Sequence, residues 1–175
     1  MDISGSKAIF VGGASGMCRA TATEFAGKGG QVSILDLESS DGAAVAEELG
    51  GKFYPCNVMD YDGMADVMDY AVSDMGGLHY VVNTAGGGGA QRTLKKDGTR
   101  HSLSDFRRVI DLNLIASFNI NGIAAEHMAK NEPNADGERG VMINTASIAA
   151  FEGQIGQVSY TAAKAGIAGM TLTMA

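Results

Sequence analysis

The order of apolar runs and glycines in the first thirty-six residues restricts the possible folds more than any other stretch. Ala8-Ile9-Phe10-Val11 is a short apolar run, and Gly12-Gly13-Ala14-Ser15-Gly16 follows it directly. Arg19 to Lys28 is rich in Ala and Thr with apolar spacing suited to a helix, which Gly29-Gly30 stops. Val32-Ser33-Ile34-Leu35 then reads as a second strand closing on Asp36, twenty positions after Gly16. Strand, glycine turn, helix, strand and acidic residue in this order are the layout of a dinucleotide-binding unit. The glycines let the backbone approach a pyrophosphate resting on the helix N-terminus, and the acidic side chain bonds ribose hydroxyls.

The alternation continues along the chain. Asp41 to Leu49 is a helix pattern ended by Gly50-Gly51, and Lys52-Phe53-Tyr54-Pro55 is a short strand with Asn57 and Val58 behind it. Tyr61 to Met75 is helical, and its Met64, Met68 and Met75 read as core packing. Tyr80-Val81-Val82 is a fourth strand, with Asn83-Thr84-Ala85-Gly86 turning off its end. Ser104 is the expected N-cap of a helix reaching about Asn131, and Glu132 to Arg139 is a polar loop. Val141-Met142-Ile143 is a fifth strand leading into Ser147. Repeated β-α units with near-continuous apolar strands specify an α/β fold, a doubly wound Rossmann-type parallel sheet with helices on both faces. No linker, repeat or low-complexity segment interrupts it, so residues 1–175 are expected to form a single domain. The 25 glycines cluster at turns and follow no triplet period, as in an enzyme whose backbone approaches a ligand. Five strand ends carry glycine or small polar residues, where such a sheet binds its ligands.

The stretch Ser147 to Lys164 ends in Tyr160-x-x-x-Lys164. A four-residue step on a helix returns to nearly the same face, which sets phenol beside ammonium. A tyrosine titrates near pKa ~10, and a fixed positive charge nearby lowers that value, giving a usable proton donor or acceptor. Taken alone, the pair is also compatible with a surface Tyr and a solvated Lys; the strand-end motifs shift the reading toward a site.

Other function classes are disfavoured. A net charge of -7 and a pI of about 4.8 argue against a nucleic-acid partner. The apolar runs fall short of the ~18 residues that span a bilayer, and MDISGSKAIF resembles neither a signal nor a transit peptide. Cys18 and Cys56 read as reduced thiols of a cytoplasmic protein. His79, His101 and His127 are too dispersed for a metal site, so no metal is expected. Arg92, Lys95, Lys96 and Arg100 stand against Asp97 in one short segment, either as a solvated loop or as a seat for phosphates.

Gly12-x-x-x-Gly16, Asn83-Thr84-Ala85-Gly86, Asn113, Ser147, Tyr160 and Lys164 together resemble the motifs of the short-chain dehydrogenase/reductase family, over the whole chain. The thirteen-residue step from Ser147 to Tyr160 is also the family's usual one. Leu94 to Leu114, Asn131 to Gly140 and Asn144 to Gln157 are similar, more narrowly, to type II 3-hydroxyacyl-CoA dehydrogenases. That group includes the 17β-hydroxysteroid dehydrogenase type 10 proteins. The Lys95-Lys96 insertion points to the same group.

The resemblance implies NAD-dependent interconversion of an alcohol and a ketone, with a short-chain acyl-CoA as substrate and steroids or other alcohols as a second choice. Tyr160 would be the general acid/base and Lys164 would hold the nicotinamide ribose. Ser147 would hold the substrate oxygen, and Asn113 would anchor a relay water. Gly12, Ser15, Gly16, Met17, Asp36, Asn57, Val58, Asn83, Thr84, Ala85 and Gly86 would bind the cofactor, with Tyr160 and Lys164. Ser147 and Tyr160 would meet the substrate; Gln154 is a pocket candidate by position only, and Lys95 and Lys96 are substrate candidates by charge. Asp36, with no basic residue after it, favours NAD over NADP. Val11, Cys18, Asn57 and Thr84 depart from the family pattern, Cys18 by replacing the last glycine of the turn. The family implies a homodimer or homotetramer. Family members continue past the position of Ala175 with further strands and a substrate-covering helix. The expectation is thus a fold truncated after the fifth strand and its helix. A non-catalytic nucleotide-binding or scaffold protein is the rival reading.

Overall fold

A computed structural model describes all 175 residues, which divide into two compact units, Met1–Ala85 with Asn119–Ile143, and Gly86–Phe118 with Asn144–Ala175. The first unit contains the sheet. Strands β1 (Lys7–Val11), β2 (Gln31–Asp36), β3 (Lys52–Pro55), β4 (Tyr80–Asn83) and β5 (Val141–Asn144) lie in the order β3-β2-β1-β4-β5. β1 pairs in parallel with β2 and β4, and β2 with β3. This is the doubly wound α/β architecture that the alternating pattern specifies. The strand order reverses direction between β1 and β4, so the carboxyl ends of those two strands form the switch point where such sheets take ligands. Register puts Val11 level with Leu35 on one side and Asn83 on the other.

Helix α1 (Gly16–Gly27) leaves the first strand and α2 (Gly42–Glu48) the second. α3 (Tyr61–Met75) is capped by the Asp60 side chain, which accepts from the Gly63 N–H, and ends at Gly76 with φ 71°. Met64, Met68, Ala71 and Val72 form its buried stripe, as their spacing predicts. Ala8, Phe10, Val32, Ile34 and Val82 from the strands pack with Cys18, Ala22 and Phe25 of α1. Phe25 meets Phe10 and Tyr80 edge to face at 5.6 and 5.2 Å, arrangements that add to the area each ring buries.

The second unit differs from expectation at its first helix. The N-cap of α4 (Leu103–Ile110) is Ser102, not Ser104: the Ser102 hydroxyl accepts from the Asp105 N–H, and Ser104 already lies in the first turn. The helix then widens into a π-turn at Asp111–Ile115 before α5 (Ala116–Met128), so the single long helix read from Ser104 to Asn131 is interrupted and shorter. Helix α6 (Val158–Met174) packs against α4 and the π-turn, and a Cβ on Gly166 would lie 2.8 Å from the Leu114 side chain. A short 3-10 turn, Ile148–Ala150, precedes α6. No helix is long and apolar enough to cross a membrane.

At the start of the sheet, the Lys7 N–H donates to His79 Nδ1 at 3.0 Å. Burial and then the Lys7 charge lower the His79 pKa below its usual value. The folded state therefore binds this proton less readily than the unfolded chain. The stabilisation is complete above the unfolded value of ~6.5 and is lost as pH falls through the lower folded value. His79→Asn retains an acceptor that cannot titrate. Chemical denaturation is expected to show a smaller loss of stability between about pH 7 and pH 5 in His79→Asn than in the parent. Equal losses would refute this role.

Candidate functional site

In the first unit, four strand-end features lie at the carboxyl ends of β1, β2, β3 and β4. Gly12 has φ 77°, and a Cβ there would lie 2.9 Å from the Ala85 nitrogen and 3.2 Å from Thr84 Oγ1. Only glycine fits both the conformation and the close approach. Gly13 is similarly confined, since its Cβ would meet the Phe10 carbonyl at 2.7 Å. Ser15 is the N-cap residue of α1, yet its side chain makes no capping bond, so the hydroxyl is uncommitted beside the first-turn N–H groups. Gly16, with φ 55°, and the exposed Met17 open that helix.

Asp36 braces the turn. Its Oδ2 accepts from the Ala14 N–H at 3.0 Å and its Oδ1 from the Leu37 N–H at 2.8 Å. It does not cap α2, whose N-cap residue is Asp41. Asn57 is exposed, and its Oδ1 accepts from the Met59 N–H, which leaves its amide N–H groups free to donate; Val58 beside it is buried. Asn83 is buried and accepts from the Ala85 N–H, while the Thr84 N–H donates to the Val11 carbonyl. Cys18, fully buried, directs its thiol to the Val11 and Val82 carbonyls at 3.5 and 3.7 Å. Burial pushes the Cys18 and Cys56 thiols each up to about 11, so neither is a thiolate at neutral pH.

The second unit brings Asn113, Tyr160 and Lys164 around a glycine-rich strap, residues 86–90. Asn113 sits inside the π-turn with no exposed surface. Its Nδ2 donates to the Gly87 carbonyl at 2.7 Å and to the Val109 carbonyl at 2.8 Å, and its Oδ1 accepts from the Gly87 N–H at 3.1 Å. A Cβ on Gly86 would lie 2.5 Å from that Oδ1 and 3.6 Å from Lys164 Nζ. Lys164 is 4% exposed, and its ammonium donates to the Thr145 carbonyl at 2.6 Å. Burial lowers the Lys164 pKa, because a desolvated ammonium is less stable. The same ammonium lies 5.6 Å from the centroid of the Tyr160 ring, so the four-residue spacing does set the two side by side. Ser147 belongs to this unit but caps the 3-10 turn, accepting from the Ala149 N–H at 3.2 Å; no hydrogen bond joins it to the phenol.

Tyr160 faces a groove of about 320 Å³ lined by Gly87, Gly88, Gly89, Ala90 and Gln157. Gln154 lies elsewhere, in a cleft of about 450 Å³ with Arg92, Thr93 and Thr161. Lys95 and Lys96 stand at the tip of a hairpin closed by a Leu94–Arg100 bridge and by the Lys95 N–H donating to the Thr99 carbonyl. Sequence reasoning missed Gly87, Gly88 and Gln157. The run of four glycines was a signal for the first two, and the i, i+3 spacing from Tyr160 was one for Gln157.

The short chain dehydrogenase family model matches residues 6–175, and the chain belongs to that family of oxidoreductases. It is 44% identical to the 3-hydroxyacyl-CoA dehydrogenase type-2 of Homo sapiens over 99% of this chain and 67% of that protein. It is 31% identical to the 3-oxoacyl-[acyl-carrier-protein] reductase of Thermotoga maritima over 100% of this chain and 69% of that one. The crystal structure of a 3-hydroxyacyl-CoA dehydrogenase type-2 from Mycobacterium avium superposes with a TM-score of 0.90 at 38% identity, covering 98% of this chain and 68% of that one.

The strap's contact with the phenol ring is testable. A Cβ on Gly88 would lie 2.8 Å from Tyr160 Cδ2, too close for either to stay in place. Gly88→Ala is expected to lower turnover about tenfold with a stability loss of about 1–3 kcal/mol, the usual range for overpacking. Unchanged turnover would show that the strap does not fix the ring.

Proposed function

We propose that the chain is an NAD-dependent oxidoreductase interconverting a secondary alcohol and a ketone. The proposed pair is a short-chain 3-hydroxyacyl-CoA and its 3-ketoacyl-CoA, in fatty acid metabolism. The observation that carries this reading is the Tyr160–Lys164 pair, with a buried ammonium 5.6 Å from the phenol ring and bonded to the Thr145 carbonyl. The names of the human and Mycobacterium avium relatives support the substrate class.

The residues of the first unit fit NAD. Gly12 leaves no room for a side chain, Ser15 has an uncommitted hydroxyl, and Asp36 is followed by Leu37 and Glu38 rather than a basic residue. Such a carboxylate accepts ribose hydroxyls and repels a 2′-phosphate, which favours NAD over NADP. Gly16, Met17, Asn57, Val58, Asn83, Thr84, Ala85 and Gly86 would complete the binding set with Tyr160 and Lys164. When bound, the nicotinamide supplies the hydride acceptor. In the oxidative direction Tyr160 takes the proton of the substrate hydroxyl, with Lys164 beside it to stabilise the charge that develops. The Ser147 hydroxyl holds the substrate oxygen, and Asn113 anchors a water that relays the proton to solvent.

The basic hairpin supports a coenzyme A partner. Asp97, its one acid, accepts from both the N–H and the hydroxyl of Thr99, and these bonds hold its carboxyl below the usual range. The Lys95 charge lowers Asp97 further, and Lys95, Lys96, Arg92 and Arg100 together outnumber that one acid and suit phosphates. Gln154 is assigned to the substrate with them. We read residues 1–175 as one NAD-binding domain of a cytoplasmic homodimer or homotetramer. A steroid or other alcohol is the second reading, favoured by Ile148, Phe151 and Ile155, which are 70, 80 and 84% exposed. A non-catalytic nucleotide-binding scaffold would bind NAD without turnover.

Turnover of acetoacetyl-CoA with NADH should exceed that of acetoacetyl-pantetheine in catalytic efficiency by about tenfold or more, since charge-assisted phosphate bonds are worth ~1.5–3 kcal/mol each. The advantage should vanish in the double substitution Lys95→Gln, Lys96→Gln. Equal efficiency in the parent would remove the coenzyme A assignment.

A further inference from the structure

Residues 86–90 of the second unit form no helix or strand, and four of the five are glycine. Glycine loses more conformational freedom on ordering than any other residue, so this strap does not hold its own shape. Yet it supplies four of the six residues lining the Tyr160 groove: Gly87, Gly88, Gly89 and Ala90. Its geometry must therefore be imposed from its ends. Asn113 fixes one end by bonding both backbone groups of Gly87. At the other end stands Gln91.

Gln91 makes three bonds to three places. Its N–H donates to the Gly156 carbonyl at 2.8 Å, on the loop that leads into α6. Its carbonyl accepts from His101 Nδ1 at 3.2 Å, and its Oε1 accepts from the Ser102 N–H at 3.1 Å. Ser102 is the N-cap residue of α4. In a capping box, the side chain at the third helical position reaches back to the N-cap N–H. That position is Asp105, whose N–H bonds to Ser102 Oγ, but the side chain that takes the N-cap N–H is Gln91, the residue that ends the strap. The bond that finishes α4 thus also anchors the strap, and only Gly88, Gly89 and Ala90 span the gap between the two anchors.

We infer that Gln91 is a positioning residue for the Tyr160 groove, tying the far end of the strap to the α4 N-terminus so that substrate meets a preformed wall. This rests on the reading of Tyr160 as the proton-transfer residue acting on a substrate in that groove. Without the Gln91 side chain, substrate binding must order the three intervening residues itself, which weakens binding more than it slows the bound complex. Gln91→Glu retains an acceptor oxygen, and a carboxylate is favoured at a helix N-terminus.

Steady-state kinetics with acetoacetyl-CoA and NADH test this. Gln91→Ala should raise substrate KM about tenfold, with kcat changed less than about threefold and cofactor KM unchanged; Gln91→Glu should restore the parental KM. Gly89→Ala, whose Cβ meets nothing within 4 Å, stiffens the strap and should recover part of the loss in combination with Gln91→Ala. An unchanged substrate KM in Gln91→Ala would overturn the inference, as would a loss that Gln91→Glu does not restore. If the parent turns over no substrate, the functional reading fails separately, and amide order parameters for residues 88–90 decide. A fall in Gln91→Ala from the rigid ~0.85 toward ~0.6 supports the anchor, and no change overturns it. Should Gln91→Ala not fold, Gln91→Leu, of similar size but without an acceptor, carries the same test.

Discussion

The second unit depends on one buried side chain, the carboxamide of Asn113. It is fully shielded from water and makes two donor bonds and one acceptor bond, so its polar atoms are matched. A buried amide left unmatched would cost about 1–3 kcal/mol for each lost partner, which makes the arrangement close to all-or-none. The π-turn at Asp111–Ile115 carries this residue, whose side chain donates to the Val109 carbonyl and whose own carbonyl accepts from the Ser117 hydroxyl. The same side chain fixes Gly87, and through it the strap that runs beside Lys164 and Tyr160.

Electrostatics follow from that packing. Lys164 is an ammonium with little contact with water, held by one carbonyl and lying beside an aromatic ring, in a protein whose net charge is -7. Burial makes its charged form less favourable, so the carbonyl bond and the nearby ring do part of the work that water does elsewhere. At the switch point of the sheet, the Asp36 carboxylate has a backbone N–H on each oxygen. The acidic residue proposed to meet a ribose thus also shapes the turn in front of it.

Much of this was legible in the residues. Apolar runs of strand length separated by helical periodicity gave the five strands in order, and the position of Asp36 followed from its distance after the glycine turn. The Tyr160–Lys164 juxtaposition followed from helical geometry alone. The π-turn was not legible, because the stretch from Asp111 to Ile115 carries the same apolar spacing as an uninterrupted helix. The exchange of Ser104 for Ser102 as cap turns on a Gln91 side chain eleven residues away, and local rules do not see such a partner. The strap was read only at Gly86, since glycines register as turn formers in a sequence and not as the wall of a groove. Gln154 and Gln157 are indistinguishable by composition; Gln157 is the N-cap residue of α6 and lines the groove with Tyr160, whereas Gln154 lies in the preceding loop and lines another cleft.

Tyr160 is the residue proposed to transfer the proton in an alcohol–ketone interconversion. Absorbance at the NADH band, followed on mixing acetoacetyl-CoA and NADH with the parent and with Tyr160→Phe, tests it most directly. Turnover is expected in the parent, with a loss of about 10²- to 10⁴-fold in Tyr160→Phe, the range for removing a general acid, and with NADH binding retained. Undiminished turnover in Tyr160→Phe would contradict it, as would NADH binding without turnover in either.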